Sequence, residues 1–152
     1  MRLLFLASWV ILLVVSAGIA LVSVQSVFVA YGNTDENLTQ EYSTAQIREQ
    51  GGEEAFNAFK GRRVTAATWA LGYALLAIAV ILVPYRRGEQ WAWWALLIAI
   101  GLSQILSIAR AVTIPTTSGA GTSGILLAFT LLGLMAGAPR MFGNREASPN
   151  GE

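Results

Sequence analysis

The 152-residue chain contains no cysteine and no histidine. These absences exclude structural disulfides, ordinary His/Cys zinc sites, thiolate iron–sulfur clusters and axial haem ligation by His or Cys, and the sequence implies no metal site and no cofactor. Charge is scarce too. Ten Lys and Arg stand against nine Asp and Glu, for a formal net charge of +1, and no basic run is present that could neutralise a row of phosphates. Nucleic acid is therefore not an expected partner. The long apolar stretches contain no Asp or Glu at all. Proton and cation transporters commonly need a carboxylate inside the bilayer, so a coupled pump is disfavoured. General acids and bases are confined to a loop and the chain ends, which argues against an enzyme. Asp35 and Glu36 lie beside the first apolar stretch, where adjacent acidic residues in a polar loop are usually solvated.

What the chain does have is hydrophobic length. Four apolar stretches run over residues 3–31, 64–85, 91–112 and 123–138, each close to the roughly 20 residues that a spanning helix needs. The first is far longer than the roughly 7–15 apolar residues of a cleaved signal peptide, so it reads as a retained helix. The expected fold is all-α: a four-transmembrane-helix bundle forming one membrane domain, residues 1–141. The polar segment 32–63 is an acidic outer loop, and 142–152 is a mobile cytoplasmic tail.

Within the loop, Gly51 and Gly52 mark a break. Glu53 to Arg63 then reads as a short amphipathic helix along the membrane surface, with Phe56 and Phe59 on one side and an acidic start and basic end suited to the helix dipole. Asn37-Leu38-Thr39 matches an N-glycosylation acceptor pattern. At the other connection, Pro84 is expected to stop the second helix, Arg86 and Arg87 to meet headgroups, and Trp91, Trp93 and Trp94 to form an aromatic belt. Arg2, Arg86, Arg87, Arg140 and Arg145 fall on one side. Long loops weigh less in the positive-inside rule, so both termini are expected in the cytoplasm of a prokaryotic cytoplasmic membrane and the loop outside.

Two sets of residues could carry function. Ala66, Ala70, Ala74 and Ala77 share a stripe on the second helix, and Gly133 and Gly137 form a GxxxG pair on the fourth; both would let another helix approach closely. The second set surrounds Arg110, the one ionisable residue within a span. Ser103, Ser107 and Arg110 share a face of the third helix with Gln104 beside them, and Ser23, Gln25, Ser26, Thr65 and Thr68 lie at similar depth. This outer polar layer could hold a lipid headgroup or quinone, with Arg110 attracting an anionic or carbonyl group and Gln25 or Gln104 orienting it. The plainer alternative is that Arg110 reaches the interface or pairs with Glu53 or Glu54 while the hydroxyls bond to backbone carbonyls.

The stretch Pro84-Tyr85-Arg86-Arg87-Gly88-Glu89-Gln90-Trp91-Ala92-Trp93-Trp94, set between an Ala- and Gly-rich helix and one ending in Arg110, resembles small bacterial four-helix membrane proteins, DoxX-like ones among them. The resemblance covers the second and third spans. It implies a four-helix bundle in a prokaryotic envelope and assigns no functional residues; the long acidic first loop departs from the compact pattern. The leading functional expectation is a non-catalytic accessory subunit of a larger membrane complex, in contact with membrane lipids and with other integral membrane subunits or copies of itself. The rival is a lipid- or quinone-binding protein or small enzyme built on the Arg110 layer.

Overall fold

The computed structural model describes residues 2–32, 43–113 and 120–143. Asp35, Glu36, the Asn37 acceptor pattern, Glu41 and the segment 144–152 lie outside them. Every described element is helical: α1 (Arg2–Tyr31), α2 (Thr44–Val80), α3 (Gln90–Leu96), α4 (Ser103–Thr113) and α5 (Ala120–Phe142), with π-helical turns at Ile81–Tyr85 and Leu97–Leu102. The π turns extend α2 and join α3 to α4, giving four helices long and apolar enough to cross a membrane. Neighbours pack in a ring, α1 on α2 and α5, the α2 end on α3, and α4 on α5.

The second helix departs most from expectation. It begins well before Glu53, at a capping box in which the Gln46 backbone N–H donates to the Ser43 hydroxyl at 3.4 Å and the Ser43 N–H donates to Gln46 Oε1 at 2.7 Å. Gly52, at φ 73° and ψ 179°, kinks the helix in a conformation that requires glycine. The first segment folds back so that Arg48 lies 4.1 Å over the Phe56 ring and pairs with Glu53 at 3.0 Å, while Lys60 approaches the same ring at 5.3 Å. Beyond Gly52 the helix runs uninterrupted through Arg63 into the apolar span. Residues 53–63 therefore continue directly into the apolar stretch as one helix and do not form a separate short helix. From the kink to Tyr85, residues 53–85 run roughly 50 Å at 1.5 Å per residue, longer than the roughly 30 Å of a hydrocarbon core.

Pro84 does not stop this helix. Its missing N–H would leave a carbonyl one turn back without a donor, and the π turn around it absorbs the mismatch. The helix ends at Gly88, whose φ of 82° permits a Schellman closure: the Gly88 N–H donates to Tyr85 O at 2.9 Å and the Glu89 N–H to Pro84 O at 3.1 Å. The fourth helix is longer than 123–138 and includes Phe142, which packs edge-on against Trp93 and Trp94 at 5.3 and 6.2 Å between ring centres. Phe142 thus belongs to the bundle and not to a tail. Trp93 leaves the expected belt as well: half-buried, it donates its indole N–H to Leu134 O at 2.8 Å, leaving Trp91 and Trp94 exposed at the rim.

The core gathers at one end of the bundle. Phe5, Leu12 and Val15 of α1 meet Ala77, Ile81 and Tyr85 of the second helix, Ala92, Leu96 and Ile100 of the third, and Leu134 and Met141 of α5. The three- and four-residue spacings along α1 bring one face inward, as a helix buried on a single stripe requires.

Candidate functional site

At the packed end, three helices are tied by one buried hydrogen-bonded chain. The fully buried Tyr85 hydroxyl donates to Ser8 Oγ at 2.6 Å, and Ser8 donates to the Gly133 carbonyl at 2.7 Å. A carbonyl four residues from a glycine can accept this second bond because α1 and α5 approach closely. A Cβ on Gly133 would lie 3.0 Å from Leu12 Cγ, and one on Gly137 would collide with the Tyr85 hydroxyl and stand 2.6 Å from Ser8 Oγ. Gly133 and Gly137 are thus a close-contact pair, but their partner is the chain's own α1 and Tyr85. Phe5 stacks on Tyr85 at 5.8 Å, and the Arg140 guanidinium lies 4.0 Å over the other ring of that pair, Phe5.

The alanine stripe divides. Ala74 and Ala77 are buried in the bundle, Ala70 is half-buried and Ala66 is exposed. A different face of α2 looks outward: Gly61, Thr65, Thr68, Gly72, Leu75 and Ala79 are all exposed and recur at alternating steps of four and three, the spacing of a helix–helix seam. Both hydroxyls bond back to their own helix, Thr65 to Gly61 O and Thr68 to Val64 O, each at 2.9 Å. Nothing stands within 4 Å of where a Cβ on Gly61 or Gly72 would lie. Trp69, flanking the seam, is 77% exposed. In the sequence this seam is hidden by Thr65 and Thr68, whose hydroxyls read as polar lining although the side chains are small.

The outer polar layer is partly assembled. Ser107 and Ser123 join α4 to α5 through a 2.9 Å hydrogen bond. Gln104, 9% exposed, lies one turn before Ser107 on the same helix. Ser103 donates to Ile100 O at 2.8 Å and Ser23 to Ile19 O at 2.8 Å, so each hydroxyl proton goes to its own helix. Ser26 accepts from Arg63 Nε at 3.1 Å, linking α1 to α2. Gln25 and Arg110 are exposed, and Glu53 is paired with Arg48. Thr65 and Thr68 face outward and do not join the layer. Among the described residues no group of three or more acidic side chains could hold a metal ion.

A pocket absent from the sequence reading opens at the hairpin end. About 620 Å³ in volume, it is walled on one side by Arg87, Gly88, Glu89, Gln90 and Trp91 and on the other by the last turn of α5 from Arg140. Gln90 Nε2 donates to Met141 O at 2.9 Å and fixes the two walls to each other. Its signals, Arg-Arg and Trp near a helix end, were legible only as interface anchors, since Arg140 is more than fifty residues away.

Together these features define the class of protein: an all-helical bundle with four helices long and apolar enough to cross a membrane. Comparison with known proteins finds no matching protein family, no similar curated protein and no similar solved structure.

Proposed function

We propose that the protein is a non-catalytic accessory subunit of a larger membrane complex, docking other integral membrane subunits along α2. The observation that carries this reading is the outward seam of Gly61, Thr65, Thr68, Gly72, Leu75 and Ala79. In lipid there is little hydrophobic gain from pairing two apolar helices. Association depends on close van der Waals packing, which small residues permit. A lipid-facing helix has no need of glycine at position 72, where glycine also costs helix stability of about 1 kcal/mol relative to alanine. The inward residues Ala74, Ala77, Gly133 and Gly137 serve the chain's own packing. The membrane is a prokaryotic cytoplasmic one with both termini inside, and the DoxX-like resemblance contributes only the four-helix architecture.

Native mass measured after extraction in mild detergent tests the proposal. Gly72→Leu is expected to release the folded protein from its complex, whereas Gly72→Ala, which keeps the seam small, is expected to leave it bound. Retention of Gly72→Leu at the wild-type level would rule out this face as the interface.

Gln104 supports a second reading, in which the α4–α5 seam binds the carbonyl or headgroup of a lipid or quinone. The Gln104 amide offers both a donor and an acceptor one turn from the Ser107–Ser123 bond, chemistry that suits a carbonyl or headgroup. On this reading Gln104→Leu and Arg110→Ala each reduce copurifying ligand at least about tenfold without altering assembly. Unchanged ligand content in both variants removes it.

A further inference from the structure

The pocket at the hairpin end has a charge and a position that the accessory role does not use. Its walls bring together Arg87 from the turn after the second helix and Arg140 from the last turn of α5. Glu89 is the one carboxylate among the described lining residues, and its Oε2 accepts the Trp91 indole N–H at 2.6 Å. No ion pair engages either arginine among the described residues. Among the described lining residues two cations and one anion give a net charge of +1, which matches the single negative charge of a phosphodiester. Arginine is suited to this partner because its planar fork of donors meets two phosphate oxygens at once.

Position narrows the ligand further. The pocket lies where two apolar helices end, beside the exposed indoles of Trp91 and Trp94. Such aromatic rims mark the level of lipid headgroups. Its walls are held before any ligand arrives, by the Gln90–Met141 bond, by the Schellman closure at Gly88 and by Arg140 seated on Phe5. Ordered walls reduce the entropy lost on binding. A volume near 620 Å³ falls within the roughly 300–1,000 Å³ of small-molecule sites, enough for a headgroup and the glycerol backbone behind it. Glu89 keeps its second carboxylate oxygen as an acceptor, so a headgroup bearing hydroxyls fits better than a bare phosphate.

We propose that this pocket binds the headgroup of an anionic phospholipid, a phosphodiester carrying hydroxyl groups, with Arg87 and Arg140 on the phosphate and Glu89 accepting from a hydroxyl. The proposal is independent of the α2 seam and of whether the chain sits in a complex. Native mass spectrometry of the full chain, delipidated and titrated with phosphatidylglycerol, phosphatidylcholine or inorganic phosphate, tests it. One phosphatidylglycerol per chain is expected to survive at concentrations at which phosphatidylcholine is retained at least about tenfold less.

Arg87→Gln and Arg140→Gln are each expected to weaken phosphatidylglycerol retention about tenfold or more, the range for losing a hydrogen bond to a charged group. Arg86→Gln removes the same charge from the same rim but outside the pocket, where Arg86 lies 4.9 Å over Trp9, and is expected to change retention less than about twofold, because a solvent-screened surface charge that does not line the pocket acts weakly. Arg87 is exposed at the turn and makes no core contact, so it decides the matter even if Arg140→Gln, which also loses the Phe5 contact, misfolds. An Arg86→Gln loss equal to that of Arg87→Gln would mean general surface attraction and would overturn the site. Inorganic phosphate binding as tightly as phosphatidylglycerol and displacing it would assign the pocket to a soluble anion and overturn the lipid proposal.

Discussion

Gly137 carries the tightest approach in the bundle, and a single methyl group there meets two polar atoms that are already bonded to each other. Gly137→Ala forces either the Tyr85 hydroxyl or Ser8 to move, breaking the link from the second helix through α1 to the Gly133 carbonyl; overpacking of this kind costs about 1–3 kcal/mol. Gly133→Ala meets apolar side-chain atoms of Leu12 at 3.0 and 3.1 Å and of Ile11 at 3.3 Å, which need yield by only a few tenths of an ångström. Thermal unfolding in detergent is therefore expected to rank wild type above Gly133→Ala and Gly133→Ala above Gly137→Ala; the reverse order for the two variants would contradict the packing described. The two glycines were legible in the sequence as a close-contact pair. Their partner was not, because spacing along one helix gives the face that is small and not the helix that meets it. Ser8 and Tyr85 carried no signal at all: a lone serine in an apolar run and a tyrosine at a helix end each have ordinary readings as backbone-bonded hydroxyl and interface anchor.

Element boundaries were governed by short local chemistry. Ser43-Thr44-Ala45-Gln46 has the residues of a capping box, a signal the sequence reading passed over in favour of the later glycine pair, so α2 starts earlier than expected. Pro84 drew the opposite error. Near a membrane-helix end a proline need not terminate the helix, since a π turn can absorb the missing donor, and Gly88 directly after the arginine pair provides the true stop. The outward extension of α2 leads to a direct prediction. A helix of this length cannot be contained within the bilayer, so Glu54 should stand in water on the side opposite the hairpin turn. Because the chain has no cysteine, Glu54→Cys and Arg87→Cys each supply a unique label. In intact cells a membrane-impermeant maleimide is expected to modify Glu54→Cys, and to modify Arg87→Cys only after permeabilisation. Labelling of both in intact cells, or the opposite pattern, contradicts the proposed orientation.

At the scale of the molecule, the bundle is unevenly built. Apolar packing and the Tyr85–Ser8 chain concentrate toward the hairpin end, while the other half relies on the Ser107–Ser123 bridge, the Arg63–Ser26 bond and the folded-back start of α2. The four-helix count could be read from hydropathy, because it depends on composition over tens of residues. Which faces turn inward could not, because rotation about a helix axis is set by contacts with distant segments: the Ala66 stripe winds from exposed to buried along its own length, and Gly61, Thr65, Thr68 and Gly72 are left facing out. That outward seam is what makes assembly with another helix the central functional claim. The most direct test is the native mass of the wild-type protein and of Gly72→Leu, extracted from native membranes in mild detergent. The account predicts a stoichiometric complex with other membrane subunits for the wild type and a free, folded chain for Gly72→Leu. A wild-type protein that emerges as an isolated monomer, or a Gly72→Leu variant that stays fully assembled, would contradict it.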